Sequence, residues 1–227
     1  MTEPQYQVAI DGPAASGKST AARLLAGRLG GFYVNTGDMY RAVAWAALQA
    51  GVKPESQPEK LIALLPGWDL RYRLVAAQIL QLFLNGQPLQ QEEFRAPAVT
   101  AVVSQVASIP EVRSWMLERQ RECRDLGIVI MEGRDIGTVI FPQAKYKFFI
   151  TASPAERARR RFAQRGEVAA DATLAAVAAE IAERDRLDSS RAVAPLAAAE
   201  DALLVNTDGR HQDDVADYLA NYIREHQ

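Results

Sequence analysis

Gly12, Gly17, Lys18 and Ser19 occur at the spacing G-x-x-x-x-G-K-[ST], within Gly12-Pro13-Ala14-Ala15-Ser16-Gly17-Lys18-Ser19, and the apolar stretch Tyr6 to Ile10 comes just before. Each fixed residue type suits phosphate chemistry. Glycines let backbone N–H groups close around phosphate oxygens, a lysine brings a mobile positive charge, and a serine hydroxyl is a hard ligand for Mg²⁺. A helix starting near Lys18 would turn its positive end toward the same anion. The expectation is a nucleoside triphosphate held by Gly12 to Thr20, with Ser19 as metal ligand. The alternative is a glycine-rich strand-to-helix turn that binds nothing, and the Lys-Ser ending argues against it.

Such a loop serves switches, motors and small-molecule kinases alike, so the residues facing it decide between them. Three further segments carry arginines: Thr36-Gly37-Asp38-Met39-Tyr40-Arg41, Glu132-Gly133-Arg134-Asp135, and the set Arg184, Asp188, Arg191. Offsets of four and three put the last set on one face of a helix that ends before Pro195. Guanidinium groups bind phosphate bidentately and stay charged, which suits clamping a second phosphorylated substrate. Ion pairing along a helix surface would account for Arg184, Asp188 and Arg191 taken alone. Arg157, Arg160, Arg161 and Arg165 form a basic stripe, a pattern that also describes a solvated helix face.

The elements that must position these residues follow from periodicity and punctuation. Strands are expected at Tyr6 to Ile10, Phe32 to Asn35, Ile128 to Met131, Phe148 to Ile150 and Leu203 to Val205. Helices are expected at Lys18 to Leu29, about Asp38 to Gln49, Pro97 to Ser108, Pro110 to Leu126, Asp171 to about Ser189 and Asp213 to Arg224. Another opens at Ser153 as N-cap with Pro154 in its first position. Between Lys53 and Leu89, Pro54, Pro58, Pro66 and Gly67 interrupt the chain, and Asn85-Gly86 after Leu80 to Leu84 has β-hairpin chemistry. The reading is an α/β fold: a parallel five-stranded core with helices on both faces, plus a small antiparallel β insert. The right-handed crossover rule brings Gly12 to Ser19, Asn35 to Asp38 and Glu132 to Asp135 to the carboxyl edge of that sheet.

The chain has 227 residues and a formal charge of −2, enough for one sizeable core and with no bulk attraction for a nucleic acid polymer. A free nucleotide is favoured as partner. Cys123 is the only cysteine, without a disulfide or metal-binding companion, which suits a reducing compartment. No apolar run reaches the ~18 residues of a membrane span, and the expected location is the cytoplasm.

Taken together the segments resemble the bacterial cytidylate kinase family, which is similar in fold to adenylate kinase. The resemblance covers almost the whole chain. It rests on Asp11 to Thr20, Thr36 to Arg41, Ser104-Gln105-Val106-Ala107 with Pro110 and Val112-Arg113, Glu132-Gly133-Arg134-Asp135-Ile136-Gly137-Thr138-Val139, Arg184-Asp185 with Asp188-Ser189-Ser190-Arg191, and Ala194-Pro195-Leu196. Pro88 and Phe94-Arg95 depart from the family's usual residues.

The resemblance implies ATP-dependent phosphorylation of CMP and dCMP, with ATP as co-substrate, Mg²⁺, and no membrane or nucleic acid partner. A monomer is the simpler expectation. It implies one kinase domain over 1–227, with residues 53–96 as the insert beside the monophosphate and 155–185 as a lid. Arg41, Arg134 and Arg191 would hold the acceptor phosphate, Arg184 and Asp188 the sugar, and Ser104, Arg113 and Asp135 the base, with Thr36 also on the substrate. Lys18, Arg134 and Arg161 would be catalytic, with Arg161 standing for a lid stripe in which Gly166 is a turning point. The base assignment has a physical basis. Cytosine offers an N4 amino donor to a carboxylate, whereas uracil would set an oxygen against it. Rival readings remain: a regulatory GTPase lacks its N-K-x-D element here, a motor lacks the strand ending in Asp, and a nucleotide sensor would show no acceptor-dependent turnover. Kinases acting on UMP, AMP or shikimate are the nearest alternatives.

Overall fold

A computed structural model describes residues 5–77, 79–164, 168 and 171–227. Arg165 and Gly166, read above as part of the lid, lie outside the described residues.

The phosphate-loop strand β1 (Tyr6–Asp11) occupies the centre of a five-stranded, all-parallel sheet. On one side lie β6 (Ile128–Gly133) and then β2 (Phe32–Asn35), and on the other β7 (Tyr146–Thr151) and β8 (Leu203–Asn206). Alternation with period two divides β1 between two cores. Val8 and Ile10 pack with Ala21, Leu25, Leu219 and Ile223 from α1 (Lys18–Leu29) and α9 (Gln212–Glu225), while Ala9 joins Val34, Met131 and Ile140 on the opposite face. Full burial of each large apolar side chain here contributes about 1.5–3 kcal/mol.

The register sets the carboxyl ends level. Asp11 lies opposite Gly133 on one side and Phe149 on the other, and Asn35 lies opposite Glu132. The loops leaving β1, β2 and β6 therefore start side by side, as the crossover argument requires. The loop after β1 runs into α1. Asn35 caps α2 (Thr36–Gln49) by accepting the Asp38 amide at 3.2 Å, so that helix starts two residues earlier than its apolar pattern indicated.

The interrupted stretch contains a helix, α3 (Pro58–Leu64), because Pro58 at a first turn starts a helix as readily as it breaks one. It then forms an antiparallel sheet of β3 (Leu70–Ala76), β4 (Ile79–Leu84) and β5 (Gln87–Pro88). Asn85 and Gly86, with φ of 51° and 79°, make the two-residue turn into β5. Pro88 stands on an edge strand, where a missing N–H costs no ladder bond. Next come α4 (Gln91–Phe94), α5 (Pro97–Val106) and α6 (Pro110–Arg121). Glu122–Leu126, expected to continue α6, tightens into 3₁₀ turns that bury Cys123. Ile136–Ile140 forms a π-helical turn, and α7 (Pro154–Ala163) and α8 (Leu174–Ser189) follow β7. Ser153 caps α7 by accepting the Glu156 amide, and Thr173 caps α8, moving that helix's start past Asp171.

Gly12 has φ +146°, and a Cβ there would overlap the backbone carbonyl of Ile150. Gly51 has φ +71° with open space around it. Gly12→Ala is expected to cost about 3 kcal/mol or more in urea unfolding, against about 1 kcal/mol for Gly51→Ala, which pays only for the left-handed backbone. Equal costs would mean that the strand packing behind the phosphate loop yields.

Candidate active site

One cleft of about 870 Å³ opens along the carboxyl edge of the parallel sheet. Its lining includes Ala14 to Thr20 of the phosphate loop, Thr36 and Arg41 of α2, Ser104 of α5, Arg113 of α6, Arg134 and Asp135 after β6, Arg161 of α7, and Arg184, Asp188 and Arg191. Gly12 and Pro13, counted with the loop on sequence, are set back from the cleft. Gly12 rests on β7, and the Pro13 carbonyl accepts from the Lys18 ammonium at 2.6 Å. Arg191 lies past the end of α8, not on the helix with Arg184 and Asp188. The chain turns after Ser190, and Ala194 takes a positive φ of 51°.

The loop is held from several directions. Ala15 takes φ +57° and Gly17 φ +92°, which turns the chain into α1. The Ala14 amide donates to Asp185, whose other oxygen pairs with Arg157, and Arg157 also donates to the carbonyls of Ala14 and Ala152. Arg160 donates to the Ser16 and Thr207 carbonyls and to the Thr207 hydroxyl. Two of the four stripe arginines are thus braces for the loop. Arg161 lies among positive neighbours: burial first, and then Arg41 and Arg134, lower its pKa to about 10.

Positive charge gathers at the cleft's centre. Lys18 is 4 % exposed, and burial, together with Arg134, pushes its pKa down to about 7. Arg184 is lowered to about 9 by burial and by Arg134 and Arg41. Asp188 is a counter-charge for the arginines. One of its oxygens accepts from Arg134 at 2.7 Å and the other pairs with Arg191. Burial alone would raise the Asp188 carboxyl, but Arg134, Arg191 and Arg184 hold it below the usual range. The Nε atoms of Arg41, Arg184 and Arg191 are buried without a hydrogen-bond partner. Such donors are costly unless an anion completes them.

A second ionic pair lies further along the wall. Arg113 donates to Asp135, and Ser104 lines the same cleft. The Arg113 guanidinium lies 5.6 Å from the centre of the Tyr40 ring. Two neighbouring features escaped the sequence reading. Asp38, buried in α2, accepts from Arg95 with both oxygens at 2.7 Å. Glu132, the last residue but one of β6, accepts from the Ser19 hydroxyl at 2.5 Å and from Tyr33 at 3.2 Å. A carboxylate ending a buried strand was the available signal for Glu132. Among the described residues, no group of three or more His, Cys, Asp or Glu is placed to hold a metal. Ser19 and Glu132 nevertheless make a pair of hard oxygen donors at the end of the loop, the donor type Mg²⁺ takes when phosphates supply its other ligands.

Comparison with known proteins places this geometry in a family. Residues 8–225 match the family described as cytidylate kinase. A cytidylate kinase of Symbiobacterium thermophilum is 42 % identical over 217 residues, covering 96 % of this chain and 95 % of that one. The chain belongs to the cytidylate kinase family. Another member, from Pelotomaculum thermopropionicum, is 48 % identical over 202 residues, covering 88 % of this chain and 87 % of its own. A bifunctional pantoate ligase/cytidylate kinase of Synechococcus elongatus is 45 % identical over 222 residues, but the chain spans only 42 % of that protein's length. A lysine buried in the phosphate loop of such a cleft links the binding of an anion to protonation. A polyphosphate favours protonated Lys18, so affinity should be level below the free value of about 7 and fall as pH rises through it, by up to tenfold per unit. Calorimetric titration with ATP at about pH 8 in buffers of different ionisation enthalpy should register proton uptake, and Lys18→Arg should abolish it. Equal heats in all buffers for the unaltered protein would contradict a depressed Lys18.

Proposed function

We propose that the chain transfers the γ-phosphoryl group of Mg·ATP to the phosphate of CMP and dCMP, releasing ADP and CDP or dCDP. The observation that carries this reading is the set Arg134, Arg184 and Arg191, gathered around Asp188, with Arg41 in the same cleft as the phosphate loop and the Arg113–Asp135 pair beside them. One anion cradle suits the donor, a second suits an acceptor phosphate, and a donor–acceptor pair suits a pyrimidine edge.

An oxygen of the acceptor phosphate attacks the γ-phosphorus, and the bond from that phosphorus to the β–γ bridging oxygen breaks. The acceptor is already ionised, so no strong general base is needed, and catalysis reduces to alignment and charge neutralisation. Lys18 and the loop amides hold the donor's β- and γ-phosphates. Arg41, Arg134 and Arg191 orient the acceptor, and Arg161 reaches in from α7 to the transferring group. Ser19 and Glu132 would hold Mg²⁺, which when bound offsets charge on the donor phosphates. Asp135 accepts from the cytosine amino group and Arg113 donates to the base's acceptor edge, while Ser104 and Thr36 complete the substrate wall. Residues 53–96 form the wall beside the monophosphate, residues 155–185 act as a lid, and both belong to one kinase domain spanning 1–227.

A monomer is the simpler reading of the assembly. Among the described residues no helix is long and apolar enough to cross a membrane. A small-nucleotide kinase with a single unpaired thiol fits the cytoplasm and pyrimidine nucleotide metabolism.

A coupled assay for ADP should give kcat/KM for CMP and dCMP well above those for UMP, AMP and shikimate, and a leading rate with AMP or shikimate would overturn the substrate. Lys18→Ala should lower kcat by about a thousandfold with the melting temperature nearly unchanged. Wild-type turnover in that variant would remove the role assigned to this lysine.

Asp188 gives a separate test. The family resemblance implies a hold on the sugar, yet both of its oxygens are engaged by phosphate-clamp arginines. As the clamp's counter-ion, Asp188→Asn should lower kcat/KM for CMP and dCMP by the same factor, about tenfold. A loss confined to CMP, the substrate with the 2′-hydroxyl, would return Asp188 to the sugar.

A further inference from the structure

Asp11 ends β1, precedes the phosphate loop, and is 3 % exposed. It is absent from the cleft lining and has no part in the phosphoryl-transfer scheme. Burying a carboxylate is costly, and two backbone donors offset part of that cost: its oxygens accept the amides of Ile136 and Gly137, each at 2.8 Å, while burial still pushes its pKa up to about 7. Those amides belong to the two residues that follow Asp135. On its other side, the Asp135 carbonyl accepts the amides of Val139 and Ile140 at 2.9 and 3.1 Å, closing the π-helical turn on itself. The backbone leaving Asp135 is therefore fixed to β1 through one side chain. The contact does not depend on glycine at position 137, where a Cβ would stand 3.4 Å from an Asp11 oxygen, an ordinary contact, and 3.2 Å from the flexible Lys147 side chain.

We infer that Asp11 is a positioning residue for base selection: by gripping the Ile136 and Gly137 amides it fixes where the Asp135 carboxylate stands, and so how strictly the site separates cytosine from uracil. This rests on the proposed action on CMP. Discrimination by a buried acceptor depends on its meeting the amino group at hydrogen-bond distance while leaving the uracil oxygen unpaired. A displacement of a fraction of an ångström at Asp135 weakens the first and relieves the second, so the preference narrows from both sides. Arg113 alone cannot restore it, because Arg113 takes its own orientation from Asp135, from the Ala107 carbonyl and from the Tyr40 ring.

Asp11→Asn tests the grip with little change of volume. Its amide nitrogen turns one acceptor into a donor facing a backbone N–H, leaving one bond where there were two. The kcat/KM ratio of CMP to UMP should fall by about fivefold or more, while KM for ATP stays within about twofold of wild type. An unchanged ratio, whatever the loss of rate or of melting temperature, would make Asp11 a purely structural residue. Equal rises in KM for ATP and CMP would show it acting through the phosphate loop, and either result overturns the inference. Asp11→Ser withdraws the carboxylate and its two-point grip while leaving one small hydroxyl and no buried charge, and should narrow the ratio in the same direction. Should Asp11→Asn fail to fold, an unchanged ratio in Asp11→Ser overturns the inference. A wild-type enzyme that does not prefer CMP to UMP overturns the substrate reading itself, which is seen before any variant is compared.

Discussion

Like charge held together out of water is the constraint on which this structure turns. Lys18, Arg41, Arg134, Arg184 and Arg191 converge on one cleft, and Asp188 is the counter-ion that Arg134 and Arg191 share. Mutual repulsion and desolvation work against the protonated forms, as the depressed values of Lys18 and Arg184 record. A fold keeps such an arrangement only where the surrounding structure over-determines it and a ligand relieves it. On the proposed reading that relief is the function: the phosphates of two nucleotides supply further negative charge. Ligand binding should then stabilise the fold as well as start the reaction.

What holds the cations in place is mostly backbone. Parallel register sets the ends of β1, β2 and β6 level, so that Lys18, Thr36 and Arg134 start from neighbouring points though they are far apart in sequence. The phosphate loop is then clasped from outside, by Asp185 on the Ala14 amide and by Arg157 and Arg160 on its carbonyls. These clasps come from α7 and α8, the helices that also carry Arg161, Arg184 and Asp188. A change of pose in those helices would therefore shift loop and clamp together.

Much of this was readable from residue order because the signals were local. G-x-x-x-x-G-K-[ST] fixes a strand, a turn and a helix start, and Lys18–Leu29 and Phe32–Asn35 form as expected. Asn85-Gly86 fixes a hairpin turn because few other residue pairs tolerate two positive φ values. Helix ends were less readable where a cap competed with the apolar pattern, as at Asn35 and Thr173. Pro58 was misread as a breaker because its effect depends on whether it falls in the first turn, which is known only once the helix is placed. The long-range polar contacts around the site were not readable at all. Asp38 with Arg95, Glu132 with Ser19 and Asp185 with the Ala14 amide each join residues whose proximity is a product of the tertiary fold.

The same chemical unit, an arginine against a carboxylate, takes three different duties here, and composition cannot tell them apart. Arg157 with Asp185 sits off the cleft lining with its remaining donors on carbonyls, so it is spent on the loop's shape. Arg134 and Arg191 with Asp188 sit on the lining, beside buried Nε donors on Arg41, Arg184 and Arg191 that lack a partner, so an arriving phosphate has bonds to complete. Arg113 with Asp135 also faces the cleft, but presents a donor and an acceptor side by side, which suits a base edge and not a phosphate. Which duty a pair performs is decided by where its unused hydrogen-bonding capacity points. That direction is set by strand register and by turns such as the one Asp11 fixes, which is why these roles emerge from the fold and not from the residues alone.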